Sequence, residues 1–323
     1  MKGYIVRRFA QSVVTVFVVA TIMFWLFRLA PGDPTAVVLS PALDEQVQQQ
    51  MAEQYGLNQP LVVQYWRYLV NVATLDFGYS FFQNEPVRSI IARRVWNTLL
   101  LMGTSLLIAY SLGTAVGAFA AWKQDSTFET GALVTAVLFR SVPVFWLALV
   151  FLYVFGFYLE VLPIGHMTDP SADFDGPLDR YLSWDFFRHL LLPVLSTVPF
   201  YMAYPLLLMR TTLLQVKGED FITMCHAKGL RDRDVFFDHA VRNSLLPIVT
   251  TAPIVIGIAV AGNVLVETIY SWPGIGRTLV EAVLQSDYPL AQAAFLLIAV
   301  LVIVGNFLAD IAYSLLDPRI TYE

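Results

Sequence analysis

Six stretches of this chain are too long and too apolar to be shared with water on every side: residues 9–30, 98–122, 130–159, 190–209, 245–268 and 291–316. About 20 helical residues cross a hydrocarbon core. In lipid, backbone polar groups must be satisfied within the protein, and a helix does so inside one segment. The expected fold class is therefore all-α, a polytopic membrane protein with six transmembrane helices. Charged residues make up only 14% of the chain, against about 25% in a soluble domain. The formal net charge of −5 argues against a nucleic-acid partner. Cys225 is the one cysteine, so no intrachain disulfide can form, and the thiol reads as packing.

Orientation follows from the basic residues. With six spans and both ends cytoplasmic, Lys2, Arg7, Arg8, Lys123, Lys217, Lys228, Arg231, Arg233, Arg242 and Arg319 all fall inside. The short outer loops keep few. The first outer segment carries Arg67, Arg88, Arg93 and Arg94, but long segments are weakly governed by this bias. The first apolar run exceeds a signal-peptide core and no small-residue cleavage site follows, so it reads as a retained helix. The expected division is a cytoplasmic start and first helix (1–30), an extracytoplasmic insert (31–97), a five-helix core (98–316) holding a cytoplasmic loop at 217–243, and a cytoplasmic end (317–323).

The insert is too polar to span. Residues 44–56 read as an amphipathic surface helix, Tyr65 to Leu69 as part of a second helix, Leu75 to Ser80 as a turn and 87–94 as a third helix. This region is either a scaffold cap or part of a surface on which another protein lands. In the second span Gly103, Ser105, Ser111, Gly113, Thr114 and Gly117 make a small-residue face for close helix packing. Pro143 is expected to kink the third span; Arg140 either lies inside it facing a cavity or a partner or, as the preferred reading, precedes a span that starts later and reaches the cytoplasmic surface. Pro193, Pro199 and Pro205 punctuate the fourth. Asn263 and Glu267 share a helical face in the fifth. The turn Ser271-Trp272-Pro273-Gly274-Ile275-Gly276 follows, with Trp272 expected as an interfacial anchor.

Between the fourth and fifth spans lies the longest charged run, 219–247. Phe221, Ile222, Met224 and Cys225 recur at helical spacing, as do Val235, Phe236 and Phe237. Gly229 is a natural helix end because it reaches positive φ without a Cβ clash. The pattern predicts two short amphipathic helices meeting at a corner, with Pro247 opening the next apolar helix. Charge pattern alone fits either a loop resting on the membrane surface or a docking element for another protein.

Ala227-Lys228-Gly229-Leu230, followed by His239-Ala240-Val241-Arg242-Asn243, resembles the cytoplasmic loop of ABC-transporter permeases in the dipeptide/oligopeptide/nickel import family. Gly229 holds the glycine of that family's Glu-Ala-Ala-x-x-x-Gly signature, with Thr223-Met224-Cys225 in place of Glu-Ala-Ala. The resemblance extends to the paired Arg7 and Arg8, the Pro31-Gly32-Asp33-Pro34 stop, the turn after Glu267 and the terminal Asp317-Pro318-Arg319. It implies a permease subunit that forms half of a translocation pathway for peptides or similar solutes. It implies docking to an ATPase through Glu219, Asp220, Ala227, Lys228, Gly229, Leu230, His239, Arg242 and Asn243. Asn263, Glu267, Trp272, Pro273, Gly274 and Gly276 are candidates for the pathway or an outer gate. The implied partners are a second, similar permease, two ATP-binding subunits that hold ATP and Mg, an extracytoplasmic substrate-binding protein and the lipid bilayer of the cell membrane. No cofactor is expected on this chain. No G-x-x-x-x-G-K-[ST], H-E-x-x-H or G-x-S-x-G occurs, and the four histidines are scattered, so no catalytic or metal residue is expected. The alternative is a secondary transporter driven by an ion gradient. It would place carboxylates at the midplane, whereas Glu267 and Asp310 lie nearer the ends of their spans.

Overall fold

The apolar runs are helical wherever the computed structural model describes them, namely over residues 2–29, 59–262 and 264–316. Among these residues there is no β-strand, only an isolated bridge between Tyr79 and Pro86. The turn at Pro31 to Pro34, the helix expected at 44–56, Asn263 and the end from Asp317 lie outside the described residues. The helices in chain order are α1 (Lys2–Leu29), α2 (Leu61–Thr74), α3 (Val87–Trp122), α4 (Thr127–Ser141), α5 (Val144–Phe151), α6 (Pro177–Leu182), α7 (Trp184–Lys217), α8 (Asp220–Ala227), α9 (Asp232–Asp234), α10 (Arg242–Gly262), α11 (Val264–Ile269), α12 (Ile275–Leu284) and α13 (Tyr288–Leu316). Among the described residues, four helices are long and apolar enough to cross a membrane. They become five if the bent pair α4 and α5 counts as one span.

Three departures from the sequence expectation have local causes. The helix expected at 87–94 and the second span are one 36-residue helix, α3, because neither Gly nor Pro interrupts the chain between Val87 and Gly103. The kink at Pro143 is a 101° break. Pro143 removes a helix donor, and Val142 before it is held extended at φ −92, ψ 131. Beyond the break α5 runs on as a π-helix, Leu152–Tyr158. Arg140 does not precede the helix as expected. It sits in the last turn of α4, where a cation suits the carbonyl end, and its guanidinium lies 4.5 Å from the Phe200 ring centroid.

The described residues fall into two compact units. One takes them from Met1–Leu99, Val260–Thr268 and Trp272–Phe307, the other from Leu100–Ala259, Ile269–Ser271 and Leu308–Glu323. In the second unit α7 keeps Pro193, Pro199 and Pro205 inside one 34-residue helix. The Ser196 and Thr197 hydroxyls both donate to the Pro193 carbonyl at 2.8 Å. Gly113 and Gly117 of α3 let the two backbones meet. A Cβ at Gly117 would stand 2.3 Å from the Leu206 carbonyl oxygen, and one at Gly113 would stand 2.5 Å from that of Met202. This close approach is what the small-residue face predicts. A buried ion pair crosses the same unit: Arg210 Nε donates to Glu129 Oε1 at 2.7 Å, and Glu129 also accepts from the Asp125 N–H at 2.7 Å.

Candidate functional site

The charged run between α7 and α10 folds into an elbow with one buried side and one exposed side. Its entry is anchored by Lys217, the last residue of α7. The Lys217 ammonium donates to the Ala121 carbonyl at 3.1 Å and lies 5.5 Å from the Trp122 ring centroid. A cation thereby meets the carbonyl end of α3, where the helix dipole favours it. α8 begins with Asp220 in its first turn, the complementary arrangement for a helix N-terminus.

Gly229 ends α8 as its sequence position suggests. Its φ is +79, its N–H donates to the His226 carbonyl at 2.9 Å, and the Leu230 N–H reaches back to the Cys225 carbonyl at 3.3 Å. This pair of bonds is the Schellman closure, which satisfies carbonyls that a helix end otherwise leaves open. His226 Nδ1 lies 3.6 Å from Asp232 Oδ1 across the corner. Arg231 then grips Asp234 with two donors, at 2.8 and 3.2 Å. That hydrogen bonding holds the Asp234 carboxyl below its usual range and the Arg231 guanidinium above its own.

The second limb differs from the expected short helix. α9, a π-helix at Val235–Val241 and α10 follow one another without a break. Pro247 therefore sits inside the helix rather than opening it.

Ile222, Val235, Phe236 and Ala240 bury the inner side of the elbow. They join Ala118 and Ala121 of α3, Met209 and Leu213 of α7 and Ile248 of α10. Phe236 stacks at 5.0 Å from Trp122 and 5.3 Å from Phe119. On the outer side Met224 is 57% exposed and Phe237 49%. Phe221 and Leu230 are exposed as well. Of the residues singled out in the sequence, Glu219, Asp220, Ala227, Lys228, Gly229 and Leu230 stand exposed at the corner. Arg242 and Asn243 are exposed at the start of α10, and His239 is half-buried in the π-helix before it. The Asn243 amide donates to the His239 carbonyl at 2.6 Å. The alternation of Phe221, Ile222, Val235 and Phe236 was visible in the sequence. The anchoring by Lys217 was not, because its partner is 96 residues away.

The second candidate cluster is the turn between α11 and α12, built around Glu267. Its carboxylate is 1% exposed. It accepts from the Thr98 hydroxyl at 2.6 Å and from the N–H groups of Gly276 and Arg277 at 2.8 and 3.1 Å. Those two N–H groups open α12, so the carboxylate also meets that helix's positive end. Thr98 accepts in turn from the Ile275 N–H at 2.8 Å. Trp272 Nε1 donates to the Asn97 carbonyl at 3.0 Å, and the Asn97 amide returns a bond to the Pro273 carbonyl at 2.8 Å. Gly274 and Gly276 leave room for the carboxylate: a Cβ at Gly274 would come within 2.3 Å of it. Trp272 is fully buried, which corrects the expectation of an interfacial anchor; its indole N–H finds its partner inside the protein. Asn97 and Thr98 carried no motif of their own and were not singled out.

Helices long and apolar enough to cross a membrane, a two-faced polar elbow and a pinned turn between two helices fit an integral membrane transport component. The comparisons give that class its family. Residues 113–322 match the family of the binding-protein-dependent transport system inner membrane component. Residues 1–102 match the N-terminal family of membrane components of such systems. The chain belongs to this family and is a permease subunit of an ABC transport system. It is 34% identical, over the whole of both chains, to the oligopeptide transport system permease protein AppB of Bacillus subtilis. It is 36% identical, again over both whole chains, to the di/tripeptide transport system permease protein DppB of Pseudomonas aeruginosa. A probable peptide ABC transporter permease protein of Sinorhizobium fredii is 33% identical over the same extent.

Proposed function

We propose that this permease carries peptides inward and forms half of the pathway, with a second, similar permease supplying the other half. Two ATP-binding subunits, loaded with ATP and Mg, dock on the exposed side of the elbow. A substrate-binding protein delivers cargo on the opposite face of the membrane, and both termini lie in the cytoplasm. The relatives' names support the peptide cargo. The basic residues Arg7, Arg8, Lys123, Lys217 and Lys228 support the orientation.

One observation carries the coupling role. The elbow exposes Phe221, Met224, Leu230 and Phe237 while Ile222, Val235 and Phe236 fix its inner side to the ends of α3, α7 and α10. A load applied to the outer side therefore moves three helices together. ATP drives transport only if it favours one arrangement of those helices over the other.

The experiment is Gly229→Val in the assembled complex, reconstituted in vesicles with its binding protein and a peptide it takes up. No atom stands within 4 Å of the added Cβ, so the damage is conformational: holding a Cβ-bearing residue at positive φ costs about 1–2 kcal/mol. The complex is expected to assemble and hydrolyse ATP while peptide uptake per ATP falls. Uptake per ATP equal to that of the unchanged complex would overturn the coupling role.

A further inference from the structure

Helix α2 is amphipathic in the wrong sense for a cap that faces water. Its polar-tipped residues point at the protein. The Tyr65 hydroxyl meets the Thr21 hydroxyl of α1 at 2.8 Å, and Tyr65 and Tyr68 pack against Phe24 at 5.2 and 5.6 Å. Gln64 is buried and donates to the Gln59 carbonyl at 2.9 Å. The outward arc is apolar instead. Val62 is 78% exposed, Trp66 68% and Val70 44%. These three are spaced by four and form one stripe, with Val63 beside it.

The register on α1 sets the height of this stripe. Arg8 and Arg28 bracket an uncharged run from Phe9 to Phe27, which at 1.5 Å per residue is about 28 Å long and matches a hydrocarbon core of about 30 Å. Arg28 therefore marks one boundary. Its guanidinium lies 5.4 Å from the Phe24 ring centroid. Thr21 lies seven residues below it, a depth of about 10 Å. The contacts climb both helices together, from Thr21 and Tyr65 to Phe24 and Tyr68, so the Leu61 end of α2 is the deeper one. The α1 helix that carries Thr21 and Phe24 also exposes Phe17, Ile22, Trp25 and Leu26, the surface a membrane span turns to lipid. Arg67 flanks the stripe, exposed one turn after Val63, and its long stem lines a cleft with Phe24, Arg28, Tyr68 and Phe77, so its charged head can reach the headgroup level.

We infer that α2 is an embedded interfacial helix whose Val62–Trp66–Val70 stripe is covered by the acyl chains of one bilayer leaflet. The insert is then part of the membrane-bound body rather than a cap standing wholly in water. An apolar stripe level with the inside of the bilayer, on a helix packed against a span, needs no protein to cover it. Which leaflet it occupies follows from the orientation proposed above; its depth does not.

The test uses the complete complex in lipid nanodiscs without the binding protein. Cys225→Ser removes the native thiol, and single cysteines are placed by Val62→Cys, Val70→Cys and, as a water-exposed control, Asn84→Cys. Val62→Cys and Val70→Cys are expected to react roughly tenfold more slowly than the control with a charged maleimide, which pays a desolvation penalty to enter hydrocarbon. A small fluorophore attached at either site is expected to be quenched by lipids carrying a doxyl group on the acyl chain. Reaction as fast as at Asn84→Cys would overturn the inference. Protection from maleimide without quenching by doxyl lipid would also overturn it and assign the stripe to the second permease. The two sites, two turns apart, give independent readings should one variant fail to assemble.

Discussion

Gly274→Ala should be damaging for a reason that a second substitution can remove. The nearest atoms to its added Cβ are all in the Glu267 carboxylate, at 2.3, 2.3 and 2.4 Å. No rotamer of alanine avoids this, so the carboxylate must withdraw. It then gives up some of its bonds to Thr98, Gly276 and Arg277. Each buried polar group left without its partner costs about 1–3 kcal/mol. Losing two of the three places the damage at about 2–6 kcal/mol by the same measure, among the larger effects a single substitution produces. Glu267→Ala is itself costly because the same donors are stranded. In that background, however, Gly274→Ala loses its three closest clashes, and the double variant should be little worse than Glu267→Ala alone. Gly276→Ala supplies the contrast. Its Cβ would lie 2.8 Å from the Val264 Cα, and removing the carboxylate does not move that backbone atom. The assay is a double-mutant cycle read as the half-life of the assembled complex in detergent at a fixed raised temperature, since membrane complexes lose structure irreversibly. Additive damage from Gly274→Ala and Glu267→Ala, or equal rescue of Gly276→Ala, would refute the reasoning.

Two further outcomes are expected. Arg210→Met removes the 2.7 Å partner of Glu129 and leaves its carboxylate with the Asp125 N–H as donor, which should lower the amount of assembled complex. Adding Glu129→Gln should recover most of the loss, read as the amount of complex recovered from membranes. The Arg231–Asp234 pair sets a pH expectation at the elbow. Asp234 is held below its usual value by Arg231, so the pair's contribution is complete above about pH 4 and fades as pH falls through the depressed value. Arg231 is raised and stays charged throughout. Uptake per ATP should therefore be indifferent to Arg231→Gln in any pH-dependent way between about pH 6 and 8; a slope that this substitution abolishes would contradict the assignment.

How much of this was legible in the sequence depended on the range of the signal. Local signals read well. Gly229 closes a helix because only its own backbone decides, and Gly113 with Gly117 invites a close neighbour whatever that neighbour is. Pro143 breaks its helix for reasons confined to Val142 and itself, although its position alone does not give the 101° of the bend. Long-range signals did not read. Thr98 meets Glu267 across 169 residues and Ser80 meets Asp287 across 207, and nothing in either partner's neighbourhood announces the other. Trp272 shows the cost of judging by type: an amphipathic ring near a span's end suggested an interface, but Asn97 offered its indole a buried acceptor. Pro247 shows a related limit: a proline that suits a helix start lies inside a helix that begins five residues earlier, at Arg242.

The elbow and the Glu267 turn solve the same problem with opposite materials. A helix in lipid can slide or rotate against its neighbours at small cost, because apolar contacts are replaceable by other apolar contacts. A helix that must keep its register in lipid needs a block: contacts that a neighbouring register cannot reproduce. At the elbow the block is shape: Phe236 is wedged between Trp122 and Phe119, and Lys217 ties the end of α7 to the last carbonyls of α3. At the turn the block is polar. A buried carboxylate with three donors has no equivalent site one helical step away, so α12 has a single register against Thr98 and Glu267. Aromatic packing holds the elbow by shape and can adapt to small shifts, whereas the carboxylate holds its turn through three directed donors and cannot.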